Sequence, residues 1–234
     1  MRDDSEKMKM AAERKIAVFD LDGTLVETDA ANSAAYRVAL RECGCGMLSG
    51  LYGRITAGSI RAAIDGITDV EMNEIVRAKV DAYCHELWRT RLGPAADALK
   101  CVLVNRKAFE KVVLVTDSAE RRAIETLQFH GMADCFDEIV CNAGVGDKYM
   151  NYFKSFDTDP AACVVWENEE GKIKSAIAAG VKVENIRKVG GLCCRVHSSL
   201  MIGIRAKSFG LPDIITTNTM ACRVRIIGFG LSTC

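Results

Sequence analysis

The sequence lacks several features that would point to particular classes of protein. Lysine plus arginine and aspartate plus glutamate both number 31, so no net charge attracts nucleic acid or anionic lipid. No apolar run approaches the ~20 residues that span a bilayer. The polar segment from Met1 to Lys15 has no apolar signal-peptide core. We therefore predict a cytoplasmic protein with no nucleic-acid or membrane partner.

Cysteine and histidine patterns exclude two further kinds of site. The 11 cysteines include no pair of C-x-x-C motifs, so the sequence does not predict a structural zinc site. Several cysteines lie in apolar runs, as Cys163 does, which is typical of reduced thiols packed as small hydrophobic side chains. Only 3 histidines occur, and none lies near a nucleophile-elbow motif, so a Ser–His–Asp hydrolase finds no support.

Short apolar runs predict strands that are buried on both faces. Three of them, rich in valine or isoleucine and without polar alternation, cover 16–19, 112–115 and 163–166. Helical patterns follow the second and third runs, over 118–130 and 169–179, and each ends at a glycine. Two more strands are predicted at 138–141 and within 181–189. Strand and helix in alternation predict an α/β fold with a doubly wound, Rossmann-like parallel sheet.

About 90 residues separate the first two strands, although a crossover needs only a dozen or so. Helical patterns cover 30–41 and 70–88, the second with one apolar stripe. Between them, loops are predicted around Gly44, Gly46, Gly50, Gly53 and Gly58. We therefore predict a catalytic core formed by 15–28 and 93–190, with an inserted α-helical cap at 29–92.

The remaining segment, 191–234, is a C-terminal extension of unclear role. It contributes no motif, and its lack of periodicity suggests loose packing or contact with a partner. It could also form an extra hairpin on the core or be unrelated to function. The competing view is that Val224 to Leu231 forms an edge strand that completes the sheet.

Three predicted strands end in acidic, hydroxyl or amide side chains, which are typical of catalytic and ligand-binding sites. The first ends at Asp20 and Asp22, the second at Thr116, and the third at Glu167 and Asn168. In open α/β sheets, ligands bind beyond the carboxyl ends of the strands. These side chains should therefore meet at one edge of the sheet.

The segment Phe19 to Val26, FDLDGTLV, resembles the nucleophile motif of the haloacid dehalogenase superfamily of phosphatases and phosphotransferases. A calcium-binding loop is excluded because the third acid and the glycine at position six are absent. In this reading Asp20 attacks phosphorus, and Asp22 acts as general acid and then as general base. Two carboxylates and a phosphate repel one another, so a divalent cation, Mg²⁺, is predicted. The resemblance implies that Asp20 binds it through a carboxylate and Asp22 through its backbone carbonyl.

The second and third family motifs are matched by Thr116 and Lys148. The resemblance implies that the Thr116 hydroxyl holds a phosphate oxygen, and backbone N–H groups near Ser118 should face the same anion. Asp117 joins them as a predicted substrate-binding residue. Lys148 would neutralise the phosphoryl charge and orient the nucleophile, and Lys154 is its rival for that role.

Glu167 and Asn168 resemble the fourth, metal-binding motif, which usually has two adjacent acids. Asn168 departs from that pattern because an amide oxygen ligates without charge, and Glu167 or Glu169 could compensate. Arg54, after Gly53 in the cap, is a candidate for substrate binding.

These observations predict a Mg²⁺-dependent phosphatase that hydrolyses a small phosphomonoester through an aspartyl-phosphate on Asp20. One alternative is a sugar-phosphate mutase, but the mutase branch has a histidine where this chain has Asn32. A second alternative is a catalytically weak regulatory or binding module, motivated by Asn168 and the C-terminal extension. The oligomeric state does not follow from the sequence.

Overall fold

A computed structural model describes residues 14–46, 51, 53–190 and 223–226, the last four by their backbone alone. The strands are β1 (Lys15–Phe19), β2 (Val26–Glu27), β3 (Arg91–Leu92), β4 (Phe109–Thr116), β5 (Glu138–Cys141), β6 (Cys163–Glu167), β7 (Ile186–Lys188) and β8 (Arg223–Ile226). The main sheet has the order β7-β6-β1-β4-β5-β8, and every pair in it is parallel. The predicted doubly wound parallel sheet is confirmed.

The centre of the sheet is apolar on both faces, which explains why the central strands show no alternation. Val18 of β1 pairs with Val113 of β4 on one side and with Val165 of β6 on the other. All three side chains are fully buried and pack in one cluster. Phe19, the next residue of β1, belongs to the cluster on the opposite face. Successive strand residues therefore both have apolar environments to fill.

Seven α-helices are described: α1 (Asp29–Glu42), α2 (Ala57–Ala63), α3 (Asp69–Tyr83), α4 (Ala96–Val104), α5 (Glu120–Phe129), α6 (Lys148–Phe156) and α7 (Glu170–Ala178). The continuous helix predicted over 70–88 is wrong at its end, because a 3-10 turn replaces α3 after Tyr83. The loop predicted around Gly58 is also wrong. Thr56 and Ser59 form a capping box that starts α2 despite the glycine.

The helical insertion has its own apolar contacts and a narrow connection to the core. Side chains from α1, α2 and α3, among them Tyr36, Ile60 and Ile75, form a separate buried cluster. The connection is the antiparallel pair β2–β3. At its end the Gly93 N–H donates to the Leu25 carbonyl at 2.7 Å. A Cβ on Gly93 would lie 2.5 Å from the Thr24 carbonyl oxygen, so only glycine permits this approach.

Part of the C-terminal extension joins the sheet. β8 pairs in parallel with β5, with Val224 opposite Ile139. The edge-strand alternative is therefore confirmed for Arg223–Ile226, and the expectation of loose packing is wrong for these four residues. The rest of 191–234 lies outside the described residues. Among the helices of the described ranges, none is long and apolar enough to cross a membrane.

Candidate active site

A cavity of about 260 Å³ lies at the carboxyl edge of the sheet, where β1, β4 and β6 end. Its lining side chains are all polar or charged: Asp20, Asp22, Thr28, Asp29, Asn32, Arg54, Asp117, Ser118, Arg122, Lys148, Glu167, Glu169 and Lys172. They include six carboxylates and only four cationic groups. The cavity therefore has an excess of negative charge before any ligand is bound.

Asp20 and Glu167 lie on either side of one buried lysine. The Lys148 Nζ donates to Asp20 Oδ1 at 2.6 Å and to Glu167 Oε2 at 2.7 Å. Lys148 is the first residue of α6, and the Asp147 carboxylate caps that helix by accepting from two backbone N–H groups. Tyr149 adds a hydroxyl that donates to Glu167 Oε2 at 2.8 Å. The rival, Lys154, is exposed in the last turn of α6.

Burial decides the electrostatics around this lysine. Burial raises the pKa of Asp20 to about 7; Lys148 opposes the rise, and the charges of Glu167 and Asp22 add to it. Burial alone would lower the pKa of Lys148, but the two carboxylates raise it above its ordinary value. The lysine is therefore charged at neutral pH. A further positive charge beside Asp20 would favour its ionised, nucleophilic form.

Asp22 has a different set of partners. Its carboxylate accepts hydrogen bonds from the Thr28 and Ser118 hydroxyls and pairs with the Arg122 guanidinium. Burial alone would raise the pKa of Asp22, but Arg122 and the two hydroxyls outweigh it and lower the pKa below its usual value. Asp22 is thus held as a carboxylate in this structure.

At the end of β4, Thr116 has a buried side chain, and the next two residues have side chains that line the cavity. Thr116 is fully buried, and its Oγ1 accepts from the Ser118 backbone N–H at 3.1 Å, so it braces the turn. Asp117 and Ser118 line the cavity. Asp117 accepts from the Asn142 amide at 2.8 Å and pairs with Lys172 of α7.

The turn after β6 places its polar side chains in three different environments. Glu167 is fully buried, and its Oε1 accepts from the backbone N–H groups of Asn168 and Glu169 at 2.9 and 3.0 Å. Asn168 does not line the cavity. Its Oδ1 accepts from the Thr24 hydroxyl at 3.1 Å, and its amide covers Gly23, where a Cβ would lie 2.3 Å from Nδ2. Glu169 lines the cavity instead.

Arg54 reaches the cavity from the cap loop between α1 and α2. Both terminal nitrogens of its guanidinium lie 3.1 Å from Glu169 Oε1, and its Nε lies 3.2 Å from the Asp29 carboxylate. All three side chains are about half exposed, so these pairs are weak and open to exchange with a ligand. Arg54, which the sequence predicts as a substrate-binding residue, therefore lines the polar cavity from the cap side.

The oxygens at this edge fit Mg²⁺ better than a metal that needs a full protein cage. Asp20 Oδ2 accepts no hydrogen bond within the described part of the chain, whereas both oxygens of Glu167 are already occupied. The described residues contain no group of three or more histidine, cysteine or acidic side chains arranged around one ion. Mg²⁺ is commonly bound through one or two carboxylates plus water and substrate phosphate, which agrees with Asp20 and the excess negative charge.

The side chains at the site that sequence reasoning missed include Thr28, Arg122, Tyr149 and Lys172. For two of them, the sequence spacing could have indicated a place at the site. Arg122 lies four residues after Ser118, close to one helical turn, and Tyr149 directly follows the predicted catalytic lysine. Thr28 and Lys172 belong to no motif, and only the packing of their elements brings them to the cavity.

The fold and this edge define an α/β enzyme whose polar site lies beneath a helical insertion. A family model described as haloacid dehalogenase-like hydrolase matches residues 17–186. The chain belongs to the haloacid dehalogenase-like hydrolase family, so the resemblance inferred from the motifs is confirmed.

Individual relatives agree with that assignment. Fructose-1-phosphate phosphatase YqaB from Escherichia coli K12 is 25% identical over 183 residues, which are 73% of this chain and 95% of the relative. The structure of CbbY from Rhodobacter sphaeroides in complex with phosphate has a TM-score of 0.58 at 18% identity, covering 72% of this chain and 84% of that one. A predicted phosphatase from Clostridium acetobutylicum has a TM-score of 0.57 at 15% identity, covering 72% and 82%. The two structures support the fold.

Proposed function

We propose that this chain is a Mg²⁺-dependent phosphatase that hydrolyses a small phosphoric monoester through an aspartyl-phosphate on Asp20. The observation that carries the proposal is the buried contact of Lys148 with Asp20 and Glu167. The lysine fixes one oxygen of Asp20 and leaves the other free in the cavity. A carboxylate with one fixed and one free oxygen is suited to attack an electrophile in one direction.

Asp22 is the proposed proton-transfer group because it is the other motif acid at the cavity. The Asp22 carboxylate first takes up a proton as the ester enters the cavity, because the negative charge of the phosphoryl group favours the protonated acid. In the first step Asp20 Oδ2 bonds to phosphorus as the ester P–O bond breaks, and Asp22 gives this proton to the leaving oxygen. In the second step Asp22 takes a proton from water as water attacks phosphorus and releases Asp20. Phosphate then leaves, and Asp22 releases this proton to solvent, so the cycle returns it to the carboxylate form.

Asp20 and the backbone carbonyl of Asp22 are the proposed Mg²⁺ ligands. When bound, the ion would neutralise charge on the carboxylates and on the phosphoryl group. Glu167 contributes its charge while its oxygens hold Lys148 and Tyr149. Asn168 remains a proposed ligand that would have to exchange its bond to Thr24. Lys148, Ser118 and the turn braced by Thr116 are proposed to hold the phosphate oxygens, with Asp117 beside them.

The cavity supports a small, hydroxylated leaving group. Among the described residues, none of the side chains that line it is apolar, whereas sites for aromatic or acyl groups are lined mainly by hydrophobic side chains. Asn32 and Asp29 line its cap side, and both have oxygens that can accept from hydroxyls. The named activity of the Escherichia coli relative is on a sugar phosphate of this kind. Fructose 1-phosphate is therefore our first candidate substrate.

The direct test is phosphate release from p-nitrophenyl phosphate, fructose 1-phosphate, phosphoglycolate and nucleoside monophosphates, each with Mg²⁺ and with EDTA. We expect Mg²⁺-dependent release, faster with the sugar phosphate than with nucleotides. No release from any ester would instead favour a regulatory or binding module. Conversion of glucose 1-phosphate to glucose 6-phosphate without phosphate release would favour a mutase.

A further inference from the structure

Arg122 is the cationic partner of the proposed acid–base catalyst. It is the third residue of α5, and its side chain is only 12% exposed. One terminal nitrogen contacts the Asp22 carboxylate, and the other donates to the Ser118 hydroxyl at 2.8 Å. Its Nε is buried with no hydrogen-bond partner among the described residues. Arg122 therefore holds Asp22 through one terminal nitrogen and not through Nε.

The same guanidinium lies against the cap. Its central carbon is 4.8 Å from the centre of the Tyr83 ring, which belongs to the last turn of α3 and is fully buried. The Tyr83 hydroxyl lies 3.4 Å from Thr126 Oγ1, one turn further along α5. A cation over an aromatic face is held most strongly where both groups are out of water. Arg122 thus lies between the core carboxylate and a cap side chain.

Three donors hold Asp22, and they are not equivalent. Thr28 and Ser118 are neutral hydroxyls, while Arg122 brings a positive charge. Removal of one partner of a buried ion pair is costly because it leaves the other charge uncompensated. Loss of the arginine would leave the Asp22 carboxylate with two neutral donors and no opposite charge in contact with it, so its side chain would no longer be held in one position.

We propose that Arg122 is a positioning residue that holds the Asp22 carboxylate at the cavity and, through Tyr83, ties that placement to the cap. This inference rests on the proposed proton-transfer role of Asp22. It predicts that Arg122 affects the steps in which Asp22 transfers a proton, of which kcat/KM reports the one that acts on the leaving group. It also predicts that Tyr83→Leu should reproduce part of the Arg122 defect.

The test compares two esters in the full-length protein with Mg²⁺. An alkyl phosphate needs a proton on its leaving oxygen, whereas p-nitrophenolate leaves without one. Arg122→Gln should lower kcat/KM for an alkyl phosphate by about tenfold or more, and for p-nitrophenyl phosphate by less than about threefold. Arg122→Lys keeps the buried charge and should show a smaller loss that is still confined to the alkyl ester.

Arg121→Gln is the matched control. Arg121 also connects α5 to α3, through Asp81 at 3.0 Å, but it is exposed and does not contact Asp22. It should leave both kcat/KM values unchanged. Equal losses for both esters in Arg122→Gln and Arg122→Lys would overturn the proposal, because they would indicate a role in phosphate binding or folding.

A double-mutant cycle gives the second criterion. If Arg122 acts through Asp22, adding Arg122→Gln to Asp22→Asn should cost no further activity on the alkyl ester. Additive losses would contradict the inference while leaving the phosphatase assignment intact. Failure of the proposed function would look different, because the unsubstituted protein would release no phosphate at all.

Discussion

The two motif aspartates are only two residues apart, yet their surroundings differ in kind. Asp20 is held by Lys148, which α6 brings in from the core, and the same lysine bonds Glu167 at the end of β6. Asp22 is held by hydroxyls and by Arg122, which also lies against the cap. Burial raises the pKa of Asp20, whereas Arg122 and the hydroxyls lower that of Asp22 against the effect of burial. Asp20 is held by groups of the catalytic core, whereas Asp22 is connected to the cap through Arg122.

The largest expected effect is on the Asp20 side. Asp20→Asn removes the attacking oxygen, so turnover should fall by on the order of 10⁴-fold or more with every ester. The fold should remain, because asparagine can still accept a hydrogen bond from Lys148. Steady-state phosphate release and circular dichroism check both points. Asp97→Asn, an exposed acid on α4, is the control, and near-normal activity in Asp20→Asn would remove Asp20 from the mechanism.

The second largest expected effect distinguishes the role of Asp22 from that of Asp20. Asp22→Asn should slow alkyl phosphate hydrolysis by ~10²–10⁴-fold, because a positioned acid–base group contributes about that much. The release of p-nitrophenolate in a single turnover should be much less affected, since that leaving group needs no proton. Rapid-mixing absorbance measurements check this. An equal loss of rate with both esters would mean that Asp22 helps to bind the substrate but transfers no proton to the leaving group.

These two environments also show how far sequence could predict the structure. The central strands follow from local patterns, because apolar runs mark buried strands, and Asp20 and the Glu167 turn come at the ends of those runs. Lys148 follows from the family resemblance alone. Thr28 and Lys172 could not be assigned, because their roles depend on how the cap connection and a helix face pack in space. β8 was one of several alternatives for the same reason: four residues pair with a strand more than 80 residues earlier.

A third experiment tests how the negative charge near Asp20 affects the affinity for Mg²⁺. Asn168→Asp adds a negative charge near the proposed Mg²⁺ site, and such a charge at short range contributes about 1–4 kcal/mol in a partly solvated site. The Mg²⁺ concentration for half-maximal activity should fall by at least about fivefold. Gln128→Glu adds the same charge at the far end of α5 and should have no effect. An unchanged or higher midpoint for Asn168→Asp would show that Asp20 and Asp22, with Glu169, set the affinity.

The smallest effect is on stability, and it concerns the cap side. Lys79 of α3 is 7% exposed, its Nζ lies 5.1 Å from the Tyr36 ring centre, and it forms no ion pair with a carboxylate of the described residues. Burial, with Arg122 adding to it and Asp22 opposing, lowers the pKa of Lys79 to about 8. Below pH 8 the charged Lys79 therefore lowers the free energy of unfolding. This loss of stability disappears at higher pH, where Lys79 becomes neutral in both the folded and the unfolded state.

Lys79→Met should accordingly raise the free energy of unfolding by about 1–3 kcal/mol at pH 7, after the lost cation–π contacts are allowed for. The gain should shrink as the pH rises from 8 toward the ordinary lysine pKa of 10.5. Urea unfolding at pH 7 and pH 10 measures both. Lys107→Met, at an exposed lysine, should change neither value. Destabilisation at pH 7 would mean that the aromatic contacts outweigh desolvation.

The central claim is that Asp20 becomes phosphorylated during turnover. Asp22→Asn should trap that state, because the group that activates water for the second step is missing while p-nitrophenolate can still leave. The Asp22→Asn protein would be mixed with p-nitrophenyl phosphate and Mg²⁺, quenched in acid, digested and mapped by mass spectrometry. We predict one added phosphoryl group, located on Asp20 and absent when Asp20→Asn is also present. A phosphoryl group on another residue, or product release with none on the protein, would contradict the account.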